Sequence, residues 1–321
     1  MRYADTSRGR PFSKDPAVVR FQDRYLLYYS LPPYRDGRPD DGWSIGVAES
    51  DDLEQWHKMG ELLPEQECER NGLCAPGAIV ADSHVRGGHV RDGHVHDGHV
   101  RGDRVHLFYQ TYGNGPRDAI CHAASGDGLH FAREETNPIF RPTGAWNCGR
   151  AIDADVIVHE DQLLLYFATR DPEMKVQMLG VASAPLNAGF GRNAWTQRCH
   201  APILKPELPW EQECIEAPAV CRHGDALYMF YAGAYNNRPQ QIGCAVSEDG
   251  IAWQRLSDEP FLPNGKPDEW NASESGHPFV FVDEDGQTYL FFQGNNDGGQ
   301  TWYLSYIRVG WRDDLPYIEE V

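Results

Sequence analysis

Five times along the chain, an apolar strand, a turn and a second strand rich in Tyr and Phe follow one another. The second strands read YLLYYS (25–30), VHLFYQ (105–110), LLLYFA (163–168), LYMFYA (227–232) and YLFFQG (289–294). Before them stand DPAVVRF (15–21), APGAIVA (75–81), DADVIVH (153–159), APAVCRH (217–223) and HPFVFVD (277–283). Three repeats continue into a third strand and a tight turn, at 45–56, 120–131 and 242–253, and 179–195 is a variant of the same piece. Asp-Gly pairs in two of these turns favour a hairpin. Helical periodicity is absent. Units of about four short strands, repeated around a circle, make a β-propeller. Five repeats predict an all-β, five-bladed propeller over 1–321 as a single domain, in preference to a sandwich or a β-helix. The stretch TWYLSYIRVGW finishes the last blade.

One segment breaks the pattern. Residues 84–103 read HVRGG, HVRDG, HVHDG, HVRGD, between a first strand and its partner. A period of five fits neither helix nor strand, so this reads as a duplicated hairpin turn, extended and solvated. His84, His89, His94 and His99 offer imidazoles to metal ions, but the reading adopted gives the tract no native metal role.

In a propeller the first strand of each blade lines the central channel, so residues opening those strands converge at one mouth. Here they are Asp15-Pro16, Ala75-Pro76, Asp153-Ala154, Glu216-Ala217-Pro218 and His277-Pro278. Asp15 and Asp153 stand equally far before Tyr28 and Tyr166; Glu216 and His277 stand one residue farther before Phe230 and Phe291. Four chain-distant polar residues are thus expected at equivalent positions. Glycoside hydrolysis needs two carboxyl groups flanking the bond, one to protonate the leaving oxygen and one to activate water or attack the sugar. A third carboxylate nearby raises the acid's pKa.

At these residues the sequence resembles the five-bladed propeller glycosidases, chiefly glycoside hydrolase family 43, with families 32, 68 and 117 as relatives. The motifs are KDPAVV, AIDADVIV and IEAPAV, in the family's order. The resemblance implies Asp15 as general base, Asp153 as the residue that tunes pKa and orients substrate, and Glu216 as general acid. It also places His277 near the propeller axis, where relatives hold a calcium ion; no cofactor is required, and a structural calcium at His277 is held open. Family 117 would make His277 the acid. Arg170-Asp171-Pro172 and Glu213-Cys214 look like family 32 motifs but fall in the wrong register, and Asn-Asp-Pro-Asn is missing, so both are treated as coincidental.

The loops at the blade ends supply candidate substrate contacts: Asp41, Trp43, Trp146, Arg150, Tyr235, Asn236, Glu274, His277 and Trp302. The expected activity is an inverting exo-glycosidase acting on short oligosaccharides, such as arabinofuranosides, xylosides or related furanosides. The alternatives are a retaining fructosidase-like enzyme and a non-catalytic carbohydrate-binding propeller.

The net charge of −19 argues against nucleic acid and anionic membranes, and mildly against an anionic polysaccharide unless a basic pocket is hidden inside. No apolar run approaches a membrane span. No signal segment is seen, so the expectation is a cytoplasmic protein, with its 8 cysteines as free thiols and no zinc site. Oligomeric state is not legible in the sequence.

Overall fold

The computed structural model describes residues 1–36, 38, 41–81 and 103–320. The His-rich pentads, Asp103 apart, lie outside the described residues. Blade 1 is β1 (Lys14–Phe21), β2 (Arg24–Leu31), β3 (Ser44–Ser50) and β4 (His57–Leu62). Blade 2 is β5 (Leu73–Ala81), β6 (Arg104–Thr111), β7 (Ile120–Ser125) and β8 (Ala132–Arg133). Blade 3 is β9 (Ile152–His159), β10 (Gln162–Arg170), β11 (Gln177–Pro185) and β12 (Thr196–Gln197). Blade 4 is β13 (Ile215–His223), β14 (Ala226–Gly233), β15 (Gln241–Ser247) and β16 (Gln254–Arg255). Blade 5 is β17 (Glu274–Val282), β18 (Thr288–Asn295), β19 (Tyr303–Arg312) and β20 (Leu315–Ile318).

Each blade is a separate four-stranded antiparallel meander. The inner strands touch in a closed circle: β1 meets β5, β5 meets β9, β9 meets β13, β13 meets β17, and β17 returns to β1. The N-terminal segment seals the ring against blade 5. Tyr3 and Leu304 exchange backbone bonds of 2.8 Å, and Trp302 N–H donates to Pro11 O at 3.2 Å. Closure of this kind leaves few sheet edges to protect.

The aromatic second strands form the core because they are covered on both sides by neighbouring blades. Tyr28, Tyr29, Tyr109, Tyr166, Tyr231, Phe108, Phe167, Phe230 and Phe291 are fully buried. Three of the tyrosines face a repeated polar brace. Tyr29 donates to Asp5 at 2.9 Å with Lys58 at 2.8 Å, and Tyr231 donates to Glu211 at 2.8 Å with Arg255 at 2.8 Å. Tyr109 donates to Glu69 at 2.5 Å with Arg133 at 3.1 Å. Each brace satisfies a buried carboxylate with a cation and a hydroxyl, as burial demands.

Glycine recurs where these rings need room. Gly46, Gly180 and Gly243 pair across the sheet with Tyr29, Phe167 and Tyr231, and a Cβ at any of them would meet the ring at 2.4–2.5 Å. Gly77 has another cause: on β5, its Cβ would stand 2.1 Å from the carbonyl oxygen of Ala154 on the next inner strand. Backbone cannot swing aside as a side chain can. Gly77→Ala is therefore expected to lower stability by about 1–3 kcal/mol, the usual cost of overpacking. A denaturant midpoint shifted down at unchanged slope would show it.

Every inner strand carries one irregularity near its start. The pairing slips between Lys14 and Ala17, Cys74 and Gly77, Glu216 and Ala219, and Gly276 and Phe279, and β9 slips at the matching place. At each bulge one residue has positive φ: Asp15 (53°), Ala75 (48°), Asp153 (52°), Ala217 (50°) and His277 (47°). Such backbone costs about 1–3 kcal/mol each and persists only where surroundings enforce it. Here the preceding blade supplies polar side chains. Asp15 N–H donates to Gln293 at 3.0 Å, Ala75 N–H to Ser30 at 2.7 Å, Asp153 N–H to Gln110 at 2.7 Å, and His277 N–H to Gln240 at 3.1 Å.

Candidate active site

The five bulges ring one end of the channel. A narrow channel lies among them, lined by Ala75, Asp153, Asp155, Ala217, His277 and the prolines 16, 76, 218 and 278. Asp15, Asp153 and His277 come together here from three blades. His277 Nε2 stands 3.4 Å from Asp15 Oδ1 and 3.3 Å from Asp153 Oδ1. Burial alone would depress the imidazole's pKa, but the two carboxylates raise it to about 9, so it is an imidazolium near neutral pH. Burial likewise works against ionising Asp15, yet His277 and Lys14 hold its carboxyl below the ordinary range. Asp153 Oδ2 is buried with no hydrogen-bond partner.

Glu216 differs from the sequence expectation. The residue in register with Asp15, Asp153 and His277 is Ala217, and Glu216 precedes the bulge by one position. The extra residue counted before His277 has another origin: the turn between β17 and β18 holds Glu284, Asp285 and Gly286. The matching turn of blade 1 holds only Gln22 and Asp23. Glu216 still belongs to the cluster. Gln240 Nε2 donates to its Oε1 at 2.7 Å, and Gln177 Nε2 donates to its Oε2. Burial raises its pKa, the charge of Asp153 raises it further, and His277 and Gln240 only partly offset this. The site thus holds one carboxyl driven toward ionisation and one driven toward protonation, the separation that acid–base chemistry needs.

The strands determine which loops surround this mouth. β1 begins, β2 ends and β3 begins at the same end, and the other blades repeat this. β5 ends at Ala81 and β6 begins at Arg104 at the opposite end.

The remaining expected contacts differ in placement. Asn236, Arg150, Tyr235 and Trp43 are half-buried at the mouth. Asn236 accepts from Lys14 Nζ at 2.5 Å and approaches Glu216 Oε1 at 3.5 Å. Trp302 is 4% exposed and lies under Lys14, whose Nζ is 4.6 Å from the ring centroid, so it is a wall beneath a lysine. Asp41 accepts from the backbone of Tyr34 and Arg35 at 2.5 and 2.6 Å and fastens its own loop. Two residues are set back. Glu274 is fully buried, its oxygens taken by Gln293 at 2.7 Å and Asn237 N–H at 2.5 Å, and burial raises its pKa to about 7. It braces Gln293 and the loop of Asn237. Trp146 packs against the blade 3 core, with its ring near Gly180.

Calcium at His277 does not fit. Its Nε2 is already shared between two carboxylates, and calcium asks for 6–8 oxygens at 2.3–2.6 Å. Among the described residues no three His, Cys, Asp or Glu side chains form a metal-holding group. Glu213, of the motif that looks like family 32, is exposed.

Sequence reasoning missed Lys14, Tyr112, Gln177 and Gln240, and set aside Arg170. Tyr112 continues an aromatic wall: its ring lies 5.2 Å from Trp43, which lies 5.9 Å from Phe12. Lys14 could have been found, because it occupies in blade 1 the place that Glu216 occupies in blade 4. The glutamines carry no signal, since Gln177 acts from a strand end on the next blade and Gln240 acts from a loop on a strand of its own blade and on the next.

Comparison with known proteins agrees with the geometry. The model for glycosyl hydrolases family 43 matches residues 135–314, and that for the glycosyl hydrolases family 32 N-terminal domain matches residues 11–179. A beta-1,2-mannobiose phosphorylase of Thermoanaerobacter sp. is 32% identical over 136 residues, 37% of this chain and 43% of the relative. Xylosidase/arabinosidase 43A of Humicola insolens is 31% identical over 96 residues, 30% of this chain and 27% of the relative. The matches thus span less than half the length of these curated relatives. A thermostable family-43 glycoside hydrolase of known structure superposes with a TM-score of 0.73 at 20% identity, over 96% of this chain and 93% of that one, which shows the shared fold. With more than half its length matched by the family model, the chain belongs to glycosyl hydrolases family 43.

Proposed function

We propose that this propeller is an inverting exo-glycosidase that removes single sugars from short oligosaccharides, with arabinofuranosides, xylosides and related furanosides as its substrate class and the cytoplasm as its place of work. One observation carries the reading: Asp15 and Glu216, from blades 1 and 4, are pushed to opposite ionisation states around a shared imidazolium. Asp15 takes a proton from water as its oxygen bonds to the anomeric carbon. The bond to the leaving oxygen breaks, and Glu216 gives that oxygen its proton. Proton exchange with solvent resets both groups. Burial and the repulsion of Asp153 raise the pKa of Glu216, and the unpartnered Oδ2 of Asp153 offers an acceptor to a sugar hydroxyl. The xylosidase/arabinosidase among the relatives supports the pentoside class.

The test is a screen of purified protein against aryl glycosides and short oligosaccharides, with the anomer of the first product followed by proton NMR. An inverted product supports the proposal. A retained product would favour a fructosidase-like mechanism, the reading that the family 32 match supports. Cleavage only with added inorganic phosphate, yielding a sugar 1-phosphate, would align the chain with the mannobiose phosphorylase relative. Binding of sugars without turnover would leave a carbohydrate-binding propeller.

A further inference from the structure

The leaving-group side of the pocket contains two arginines that the chemistry above does not use. Gln177 is buried, and its amide nitrogen donates to Glu216 Oε2. Its carbonyl oxygen accepts from two guanidinium groups, Arg170 Nε at 2.9 Å and Arg150 Nη1 at 3.4 Å. Both arginines are half-buried. Because Glu216 must protonate the leaving oxygen, groups gathered at its Oε2 border the departing part of the substrate.

These cations are poorly neutralised. Arg133 and Arg255 show what a structural arginine looks like here, each in contact with a fully buried glutamate at 3.1 and 2.8 Å. Among the described residues Arg170 has no carboxylate within ion-pair distance; its other contacts are the carbonyl of Met174 at 3.4 Å and the ring of Tyr235 at 5.1 Å. Arg150 faces one carboxylate, Asp118 Oδ2, at 3.7 Å from Nε. That is too far for a hydrogen bond, and Nε is buried without a partner. A half-buried cation without a close carboxylate gives up hydration for little in return, and acidic residues are not scarce, at 48 against 29 Lys and Arg. The chain nevertheless leaves two guanidiniums converging on one amide beside the acid.

We propose that Arg150 and Arg170 form an oxyanion subsite for the leaving group, so that the preferred substrates carry a carboxylate or sulfate on the sugar next to the bond cleaved. The planar donor fork of arginine suits such groups. The inference rests on the glycosidase reading for which part of the substrate departs. It also supplies the hidden basic pocket that a chain of net charge −19 would need to accept an anionic sugar.

The experiment uses the best glycone from the screen, presented as aryl glycosides with a neutral, a 4-carboxyphenyl or a 4-sulfophenyl leaving group of matched acidity. The ratio of kcat/KM, acidic over neutral, is measured for wild type, Arg170→Gln and Arg170→Lys. The expected result is a wild-type ratio above one that falls about 10–100-fold in Arg170→Gln, as for loss of a charge-assisted hydrogen bond, and recovers partly in Arg170→Lys. The carboxylate and sulfonate arms tell which anion is preferred. A wild-type ratio of one, or equal losses on neutral and acidic substrates, would mean the arginines only brace Gln177 and would overturn the subsite. Acceleration by inorganic phosphate with sugar 1-phosphate formed would assign the anion to the nucleophile and overturn it too. Calorimetric titration of 4-carboxyphenyl and neutral glycosides separates this from failure of the glycosidase reading. If nothing is hydrolysed but the acidic ligand binds tighter by an Arg170-dependent margin, the subsite stands without the reaction. If no such margin appears, the subsite falls.

Discussion

Glu216→Gln is expected to lower kcat by about 10²–10⁴-fold on glycosides with poor leaving groups, the usual worth of a positioned general acid. The loss should shrink sharply on dinitrophenyl glycosides, whose leaving oxygen departs without a proton. The reason lies in the surroundings of Glu216: burial and Asp153 both raise its pKa, so it carries a proton where an ordinary glutamate would not. In wild type, kcat/KM should fall on the alkaline side as Glu216 ionises, and that limb should vanish in the variant when activated substrates are used. Glutamine keeps the shape and one acceptor oxygen, but its NH2 faces the donating amide of Gln177 or Gln240, so a thermal melt beside wild type controls for folding. If poor and activated substrates lost equally, the acid would lie elsewhere, and His277 would be the next residue to change.

Asp15→Asn should be nearly as damaging, at about 10²–10⁴-fold, but with no relief from a better leaving group, because the missing proton acceptor serves the water. The acid limb of the wild-type profile should sit below the normal carboxylate range, since His277 and Lys14 favour the charged form of Asp15. The same substitution has a second, independent readout. His277 would lose one of its two carboxylates, so its pKa should drop from about 9 while Asp153 still holds it in place. An imidazole titration followed by NMR reports this whether or not a substrate is known. An unmoved His277 together with unchanged turnover would remove Asp15 from the centre.

Much of the fold was readable because the propeller writes itself into the chain as repetition. Strands such as YLLYYS and LYMFYA are apolar on both faces, since neighbouring blades cover both, and that pattern occurs five times. The candidate carboxylates that cluster at the channel mouth were legible for the same reason. The register was not. Counting residues back from Phe230 and Phe291 placed Glu216 and His277 together, but only turn length separates His277 from the others, whereas Glu216 is displaced along its strand. A place one residue earlier on the strand and a turn one residue longer change the count equally, and only hydrogen-bond pairing distinguishes them. Glu274 was expected on a blade-end loop, but it is the first residue of β17, and its burial against Gln293 has no local sign in the chain. Gln177 was invisible because no local pattern ties residue 177 to residue 216 on the next blade, and Arg170, noticed and set aside, acts through that same glutamine.

The positive-φ residue repeated in every blade bears on how such an enzyme changes over evolutionary time. The ring has five seats of the same backbone shape. Asp15, Asp153 and His277 fill three, and Asp and His are among the side chains that best tolerate this conformation. Ala75 and Ala217 fill the other two with a bare methyl group. A new function can therefore be drafted by one codon at a vacant seat, with the scaffold already paid for by its neighbours, and an old one can be retired the same way. Diversification in a ring like this is a matter of which seats are taken, while the architecture that offers them stays still.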